Sequence, residues 1–167
     1  MDYYLFTLIN SLAGRFAIAD MIGIFFARTA IFLLPFFAFV EAKTALQLFA
    51  RMTLSTVLAF STNALIGFLY FRPRPFAVHD VHQLITLHYQ NSKSFPSDHT
   101  AIAFALAATV AILYPRIGMG ALIVAFLVGL ARVFVGVHYP FDILGGALVG
   151  IFSAFVVHFF SLRFGVL

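Results

Sequence analysis

Cysteine and tryptophan are absent from this sequence of 167 residues, and charged residues make up only 10% of it. Without cysteine there can be no disulfide framework, no thiolate metal site and no cysteine nucleophile. Hydrophobic residues reach 63%, whereas soluble domains are about 45–50% apolar. A soluble domain of this size could not bury so much apolar surface. The composition therefore excludes a soluble enzyme and a disordered chain, and it indicates an integral membrane protein.

The few charges sum to a net charge of +4 at pH 7. On a membrane protein such an excess reflects topology and anionic lipid more often than nucleic acid, and no stripe of lysine and arginine resembles a nucleic-acid footprint. The first residues lack the features of a signal peptide, so no cleaved leader is expected. The expected partners are the membrane and a substrate within it. The sequence leaves the oligomeric state open.

Long apolar runs predict the membrane spans, since a span needs roughly 20 apolar residues. Five segments qualify, alone or with their polar ends: residues 21–40, 52–71, 100–115, 117–131 and 143–162. Pro115-Arg116 is predicted to form a tight hairpin, and Arg28 and Pro35 interrupt the first segment. Residues 1–20 are expected to form an interfacial helix or part of a sixth span. The prediction is an all-α polytopic membrane bundle of five spans, or six, in one domain over residues 1–167.

Polar residues gather at helix ends on one side of the predicted bundle. Because successive spans alternate in direction, four of these ends share one face, next to a long polar loop over residues 72–96. That face receives Arg72, Arg74, Ser97, Asp98, His99, Arg132, His138 and Asp142. The opposite face receives Glu41, Lys43, Arg116 and Arg163. Ionisable residues at membrane depth are costly, so a one-sided cluster predicts a functional site. The loop also holds His79, His82 and His88, whose role the sequence leaves open.

The residue types of this cluster suit phosphoryl transfer. Arginines supply forked donors that match phosphate oxygens, and Ser97 begins a helix whose N-terminus favours an anion. Two histidines can serve as nucleophile and acid or base, and Asp142, four residues after His138, can hold one of its ring nitrogens as N–H. Zinc ligation by His99, His138 and Asp142 is the alternative. Two neighbouring arginines favour an anion over a metal, so no metal or other cofactor is expected.

The spacing of these residues resembles the motifs of the type 2 phosphatidic acid phosphatase superfamily. The family's motifs are Lys-x6-Arg-Pro, Pro-Ser-Gly-His and Ser-Arg-x5-His-x3-Asp. In this sequence the corresponding residues are Arg74-Pro75 (or Arg72-Pro73), then Pro96-Ser97-Asp98-His99, then Ala131-Arg132, His138 and Asp142. The resemblance covers about residues 52–160 and implies a helical membrane phosphatase that works without a divalent metal.

The resemblance also implies a role for each matching residue. His138 attacks the phosphorus and becomes a phosphohistidine, while Asp142 orients His138. His99 protonates the leaving group and then activates water. The residues implied to hold the phosphoryl oxygens are Arg74, Arg132 and Ser97.

Three positions depart from the family's motifs. The first-motif lysine is absent, because Gly67 stands seven residues before Arg74. The charge of Arg72 could replace it, which makes Arg72 a further candidate for phosphate binding. Asp98 stands in place of the usual glycine and Ala131 in place of the usual serine. Asp98 is expected to point away from the phosphate or to pair with an arginine.

The strings Arg72-Pro73-Arg74-Pro75-Phe76 and Ser94-Phe95-Pro96-Ser97-Asp98-His99 are similar to those of the bacitracin-resistance-type undecaprenyl-diphosphate phosphatases. This subgroup implies conversion of undecaprenyl diphosphate to the carrier lipid of cell-wall synthesis, at the outer side of a bacterial cytoplasmic membrane. Phosphatidylglycerophosphate, phosphatidate or lipid A phosphates would use the same residues. A membrane protein that binds lipid phosphates without cleaving them is the alternative from another class.

Overall fold

The computed structural model describes residues 1–40, 45–87 and 93–164. Within these ranges every regular element is helical. The α-helices are α1 (Asp2–Asn10), α2 (Ala17–Arg28), α3 (Ala45–Leu69), α4 (Pro75–Val78), α5 (Asp98–Leu113), α6 (Pro115–Phe134) and α7 (Pro140–Phe164). A 3-10 helix, Ala30–Val40, follows α2. The predictions for Glu41, Lys43 and His88 lie outside the described residues.

Three helices, α3, α6 and α7, are long and apolar enough to cross a membrane. A fourth candidate for a membrane span is formed by α2 together with the 3-10 helix as far as Phe37. The axes of these two helices are bent by 53° relative to each other. The bend directly follows Arg28, the first of the two predicted interruptions. Helix α5 is apolar but has 16 residues, fewer than the roughly 20 of a typical span. The protein is therefore a helical membrane protein, while the five spans and the interfacial position of α1 stay predictions.

The helix boundaries follow the predicted segments, except that α2 begins at Ala17, before the predicted start at residue 21, and that α3 also begins early. Helix α5 ends at Leu113 and α6 begins at Pro115, which confirms the predicted hairpin. Proline suits a first helical position because its missing N–H would have no partner there. Helix α3, in contrast, begins at Ala45 and continues through Arg51, which was expected to lie outside the span. The long arginine side chain permits this, because its stem can lie along the helix while its charge reaches a polar region.

Helix α5 lies at the centre of the bundle, with α3, α6 and α7 packed around it. Nine of its 16 residues are buried. Five of these nine are alanines, namely Ala101, Ala103, Ala105, Ala107 and Ala108. Small side chains let neighbouring helix backbones approach closely in a membrane. The position of α5 among three long helices follows from this alanine-rich surface.

Two glycines bring α7 against the first turns of α5. A Cβ on Gly146 would lie 2.6 Å from the carbonyl oxygen of Ser97, and one on Gly150 would overlap the carbonyl oxygen of Ala101. The GxxxG spacing of these glycines therefore serves close helix packing. The backbone N–H of Ser97 donates to the carbonyl oxygen of Asp142 at 3.0 Å. This contact joins the beginnings of α5 and α7, where two of the sequence motifs lie.

Candidate active site

His138 lies between α6 and α7 and is 2% exposed. Its Nε2 atom lies 3.1 Å from Nη1 of Arg74, and its Nδ1 atom lies 3.5 Å from Oδ2 of Asp142. A guanidinium group can only donate, so Nε2 is the acceptor and the ring proton belongs on Nδ1. The lone pair of Nε2 therefore faces the arginine, and the N–H of Nδ1 faces the carboxylate.

The imidazole of His138 is neutral at pH 7. Burial lowers its pKa to about 3; the charges of Arg74 and Arg132 act in the same direction, and the contact with Asp142 opposes them. A histidine can act as a nucleophile only through an unprotonated ring nitrogen. The surroundings of His138 thus keep Nε2 in the form that can attack an electrophile.

The carboxylate of Asp142 is held by several donors in addition to His138. Its Oδ2 atom accepts the backbone N–H of Tyr139 at 2.8 Å and the hydroxyl of Ser94. Ser94 also lies 3.5 Å from Nδ1 of His138. The role of Ser94 escaped the sequence analysis, although it stands only two residues before the Pro-Ser-Asp-His motif. These contacts fix the carboxylate behind the imidazole, as the spacing of His138 and Asp142 suggested.

Arg72 binds two carboxylates. Its Nη1 atom donates to Oδ1 of Asp142 at 2.8 Å, and its Nη2 atom donates to Oδ2 of Asp2 at 2.7 Å. The guanidinium also lies 4.0 Å from the ring centre of Tyr139. Burial opposes the charge of Arg72, but the hydrogen bond to Asp2 and the charge of Asp142 outweigh it and raise its pKa.

This geometry differs from the expectation that Arg72 holds phosphate or replaces the missing lysine. Each terminal nitrogen of the guanidinium donates to a carboxylate, so in this structure Arg72 supports Asp142. Phosphate binding by Arg72 stays a prediction. Asp2 also accepts the backbone N–H of Phe141 at 3.0 Å. Asp2 was missed because no local pattern connects it with Arg72 and Phe141, which are 70 and 139 positions away. Through Asp2, helix α1 therefore helps to hold Arg72 and the start of α7 in position.

Arg74 and Arg132 are two buried arginines close to His138. Arg74 donates to the carbonyl oxygen of Val137 at 3.1 Å, and Arg132 donates to that of Ala27 at 3.0 Å. The Nε atom of Arg132 has no hydrogen-bond partner among the described residues. Each guanidinium lies within electrostatic reach of the other, and burial lowers the pKa of Arg74. An anion bound between two such cations would offset both their mutual repulsion and the cost of burying their charges.

Ser97 and His99 stand at the start of α5. Ser97 is the N-cap residue, and its Oγ atom accepts from the backbone N–H and the hydroxyl of Thr100. His99 is half-buried and lies within electrostatic reach of Arg74 and Arg132. It also lines one end of an apolar groove of about 400 Å³ between the 3-10 helix, α3 and α5. The predicted site residues from the three motifs therefore surround one region.

Asp98 was expected to point away from the site or to pair with an arginine. It pairs with Lys93, whose Nζ atom lies 2.8 Å from Oδ1 of Asp98. A second donor, Nδ2 of Asn63, lies 3.0 Å from the same oxygen. Two donors therefore compensate a carboxylate that stands beside a phosphate-binding motif.

The remaining histidines lie apart from these contacts. His79 stacks on Tyr3 with ring centres 4.0 Å apart, and His82 is exposed. In the part of the chain that the structure describes, no group of three histidine, aspartate or glutamate side chains could hold a metal ion. Metal-independent action stays a prediction. Arg116 and Arg163 are exposed at the opposite helix ends, as expected.

The sequence profile of the PAP2 superfamily matches residues 44–164. The chain belongs to the PAP2 superfamily. The match includes every motif described above, so the resemblance to the type 2 phosphatidic acid phosphatases is confirmed. The protein is accordingly a membrane lipid phosphatase, and this family membership disfavours the alternative of a protein that binds lipid phosphates without hydrolysing them.

Individual relatives agree with PAP2 membership. The undecaprenyl-diphosphatase BcrC of Bacillus subtilis is 35% identical, over 96% of this chain and 84% of its own length. A lipid A 1-phosphatase of Rhizobium johnstonii is 31% identical over 72% of this chain and 49% of its own length. The crystal structure of LpxE from Aquifex aeolicus has a TM-score of 0.77 and 30% identity, and the match covers 94% of each chain.

Proposed function

We propose that this PAP2 phosphatase removes the distal phosphate of a polyprenyl diphosphate and converts undecaprenyl diphosphate to undecaprenyl phosphate. The arrangement of His138 carries the phosphatase chemistry: a buried neutral imidazole has Asp142 at Nδ1 and Arg74 at Nε2. Similarity to the Bacillus subtilis undecaprenyl-diphosphatase over almost the whole chain supports the choice of lipid.

The first step transfers a phosphoryl group to the enzyme. Nε2 of His138 attacks the distal phosphorus, the N–P bond forms, and the P–O bond to the lipid monophosphate breaks. The N–H of Nδ1 stays directed at Asp142, which stabilises the positive charge that develops on the ring. The phosphoryl oxygens are held by Arg74, Arg132 and Ser97, and His99 protonates the leaving oxygen.

The second step returns the enzyme to its starting state. A water molecule attacks the phosphorus of the phosphohistidine, and His99 accepts a proton from that water. The N–P bond breaks, inorganic phosphate leaves, and the lone pair returns to Nε2 of His138. Neither step requires a divalent metal, because the arginines compensate the charge of the phosphoryl group.

The apolar groove beside His99 supports a lipid substrate that enters from the side. Its walls include Ile31, Phe32, Met52, Ile102 and Leu106. A hydrocarbon chain in this groove would keep contact with the membrane while its headgroup reached the arginines. We assign the groove to the isoprene units nearest the diphosphate.

A second candidate is the phosphatase reaction on lipid A. The similarity to a lipid A 1-phosphatase and to the LpxE structure favours it over phosphatidate and phosphatidylglycerophosphate. The residues that bind and attack phosphorus would be the same. The two candidates differ only in the lipid that the groove accepts.

Phosphate release by the detergent-purified protein tests the function. The panel contains undecaprenyl diphosphate, undecaprenyl phosphate, lipid A, phosphatidylglycerophosphate and phosphatidate, with EDTA present and His138→Ala as the blank. We expect undecaprenyl diphosphate to give the highest kcat/KM and the variant to give no release. Faster release from lipid A would mean that lipid A is the preferred substrate and would leave the proposed mechanism unchanged. Undiminished release by His138→Ala would refute the covalent mechanism.

The site is proposed to face the outside of a bacterial cytoplasmic membrane. The natural absence of cysteine permits a direct test with single cysteines. Asp80 is exposed in the loop on the site face, and Arg116 is exposed on the opposite face. In intact cells a membrane-impermeant maleimide should label Asp80→Cys and not Arg116→Cys. The reverse labelling would place the site in the cytoplasm.

A further inference from the structure

Lys93 lies across the last part of α3. A Cβ atom on the buried Gly67 would overlap Cδ of Lys93 and lie 2.5 Å from its Cε. The stem of the lysine therefore occupies the space that a side chain at position 67 would need. Position 67 is also the one at which the first-motif lysine of the family would stand. A lysine from the far end of the long loop thus fills the place of a lysine from the helix.

The ammonium group of Lys93 is held in one orientation. Its Nζ atom donates to Oδ1 of Asp98 at 2.8 Å and to the carbonyl oxygen of Pro96 at 3.0 Å. Asn63 donates to the same two oxygens from α3. An ammonium group has three N–H donors, and the described residues accept two of them. The side chain of Lys93 is 17% exposed, so the third donor can meet a ligand.

The held ammonium group is bound to Asp98, a residue of the second motif. Asp98 stands between Ser97 and His99 and is within electrostatic reach of Arg74 and Arg132. Arg72 pairs with Asp2 and Asp142, on the side of His138 that bears Nδ1. Lys93 is the remaining described cation with a direct contact to the second motif.

We propose that Lys93 binds the phosphoryl oxygens of the substrate as the third cation of the site, with Asp98, Asn63 and the carbonyl of Pro96 holding it in position. The inference rests on the proposed phosphatase function and names a substrate-binding residue for it. A lysine suits the position because its ammonium is a compact charge at the end of a flexible stem. The pairing also explains the acidic Asp98 beside a phosphate, because Lys93 compensates its charge.

Lys93→Met gives the first test, since methionine keeps much of the stem and removes the charge. A lost charge-assisted hydrogen bond should lower kcat/KM about 10- to 100-fold. Arg116→Met is the matched control, because it removes an exposed cation from the opposite face; its activity should be unchanged. A Lys93→Met enzyme within twofold of wild type would overturn the proposal.

Moving the lysine to α3 gives a sharper test. Gly67→Lys alone should impair the enzyme because the new stem would overlap Lys93. In the Lys93→Ala background that space is vacant, so Gly67→Lys should restore activity to within about fivefold of wild type, a strongly positive coupling. Gly67→Met in the same background fills the space without charge and should stay about 10- to 100-fold below wild type in kcat/KM. Equal activity of these two double variants would mean that only the volume matters and would refute the proposal.

Lys93 could instead act only by neutralising Asp98, and a further double variant separates the two roles. Lys93→Met with Asp98→Asn removes both charges. If Lys93 binds substrate, this variant stays at least about tenfold below wild type in kcat/KM. Full recovery of activity would show that neutralisation is the whole role of Lys93 and would overturn the inference.

Binding of inorganic pyrophosphate keeps this test separate from the choice of lipid. A ligand that binds the folded state raises the melting temperature by an amount that grows with the logarithm of its concentration divided by its Kd. Pyrophosphate should stabilise the detergent-purified wild type, and Lys93→Met should require about 10- to 100-fold more of it for the same shift. An equal requirement in both proteins would refute Lys93 as a phosphate ligand, whichever lipid the enzyme hydrolyses.

Discussion

Replacing Arg72 should separate a positioning role from a phosphate-binding role. The arginine donates to the fully buried Asp142 at 2.8 Å and to Asp2 at 2.7 Å. Arg72→Met removes both donors and the guanidinium that lies over the ring of Tyr139, and retains part of the aliphatic stem. Asp142 would then keep Tyr139 and Ser94 as donors to Oδ2 but lose the partner of Oδ1. We therefore expect the carboxylate to move or rotate and the imidazole of His138 to lose its alignment.

The magnitude follows from the kind of hydrogen bond that is lost. A hydrogen bond to a charged group contributes about 1.5–3 kcal/mol. If that energy serves to align His138, kcat should fall about 10- to 150-fold while KM stays within about twofold. Loss of a phosphate ligand would instead raise KM. The split between kcat and KM is therefore the decisive measurement.

Asp2→Asn tests the outer part of the same chain of contacts. Asparagine keeps an oxygen for the backbone N–H of Phe141, which Asp2 binds at 3.0 Å, but it loses the charge that holds Arg72. Both partners are partly exposed, so a loss of about 0.5–1 kcal/mol, or about two- to fivefold in kcat, is expected. In the Arg72→Met background the same change should have no further effect.

The assay measures kcat and KM with the preferred lipid diphosphate, together with the melting temperature of each variant in detergent. Variants that melt near the wild type establish that the loss is local. The positioning role is refuted if Arg72→Met raises KM tenfold with kcat unchanged. It is also refuted if the effects of Asp2→Asn and Arg72→Met on kcat are additive, because Asp2 would then not act through Arg72.

Three further predictions concern Ser94, His138 and the glycine contact. Ser94→Ala should lower kcat about tenfold, because Asp142 loses a charge-assisted hydrogen bond; unchanged steady-state kinetics would refute it. The pKa of His138 is about 3 in the folded protein, below the usual value of about 6.5, so protonation favours unfolding. Stability should fall as the pH drops below about 6.5, by about 2 kcal/mol at pH 5, and pH-dependent melting of His138→Asn should lack this contribution. Gly150→Ala should cost about 1–3 kcal/mol through overlap with Ala101, whereas Gly120→Ala, where a Cβ meets one atom at 3.9 Å, should melt as the wild type does.

The helices and the centre of the site could be predicted because their signals are local. Apolar runs of sufficient length mark α3, α6 and α7, and the pair Pro115-Arg116 marks the turn before α6. The interval of four residues between His138 and Asp142 places Asp142 in the first turn of α7 and His138 just before that helix. The alternation of spans then brings the motif ends to one face. Each of these inferences requires only chain direction and helix length.

The supporting residues could not be predicted because their contacts join distant parts of the chain. Asp2 reaches Arg72 across 70 positions and Phe141 across 139. Lys93 fills the space above Gly67, and a sequence alone does not tell which of several nearby cations takes a vacant position. The early start of α3 at Ala45 was missed for a different reason, since an arginine inside an apolar run was read as its boundary.

The charges around His138 are divided into two poles. Behind Nδ1, the carboxylates of Asp2 and Asp142 share the single cation of Arg72, which leaves this side negative. In front of Nε2, Arg74 and Arg132 lie within electrostatic reach of each other, which leaves that side positive. Such a field orients the lone pair toward an incoming phosphate and stabilises the positive ring that attack creates. Asp98 offsets part of the repulsion between the two arginines and of the cost of burying them. A bound phosphate would offset more of both, so substrate binding should raise the stability of the fold.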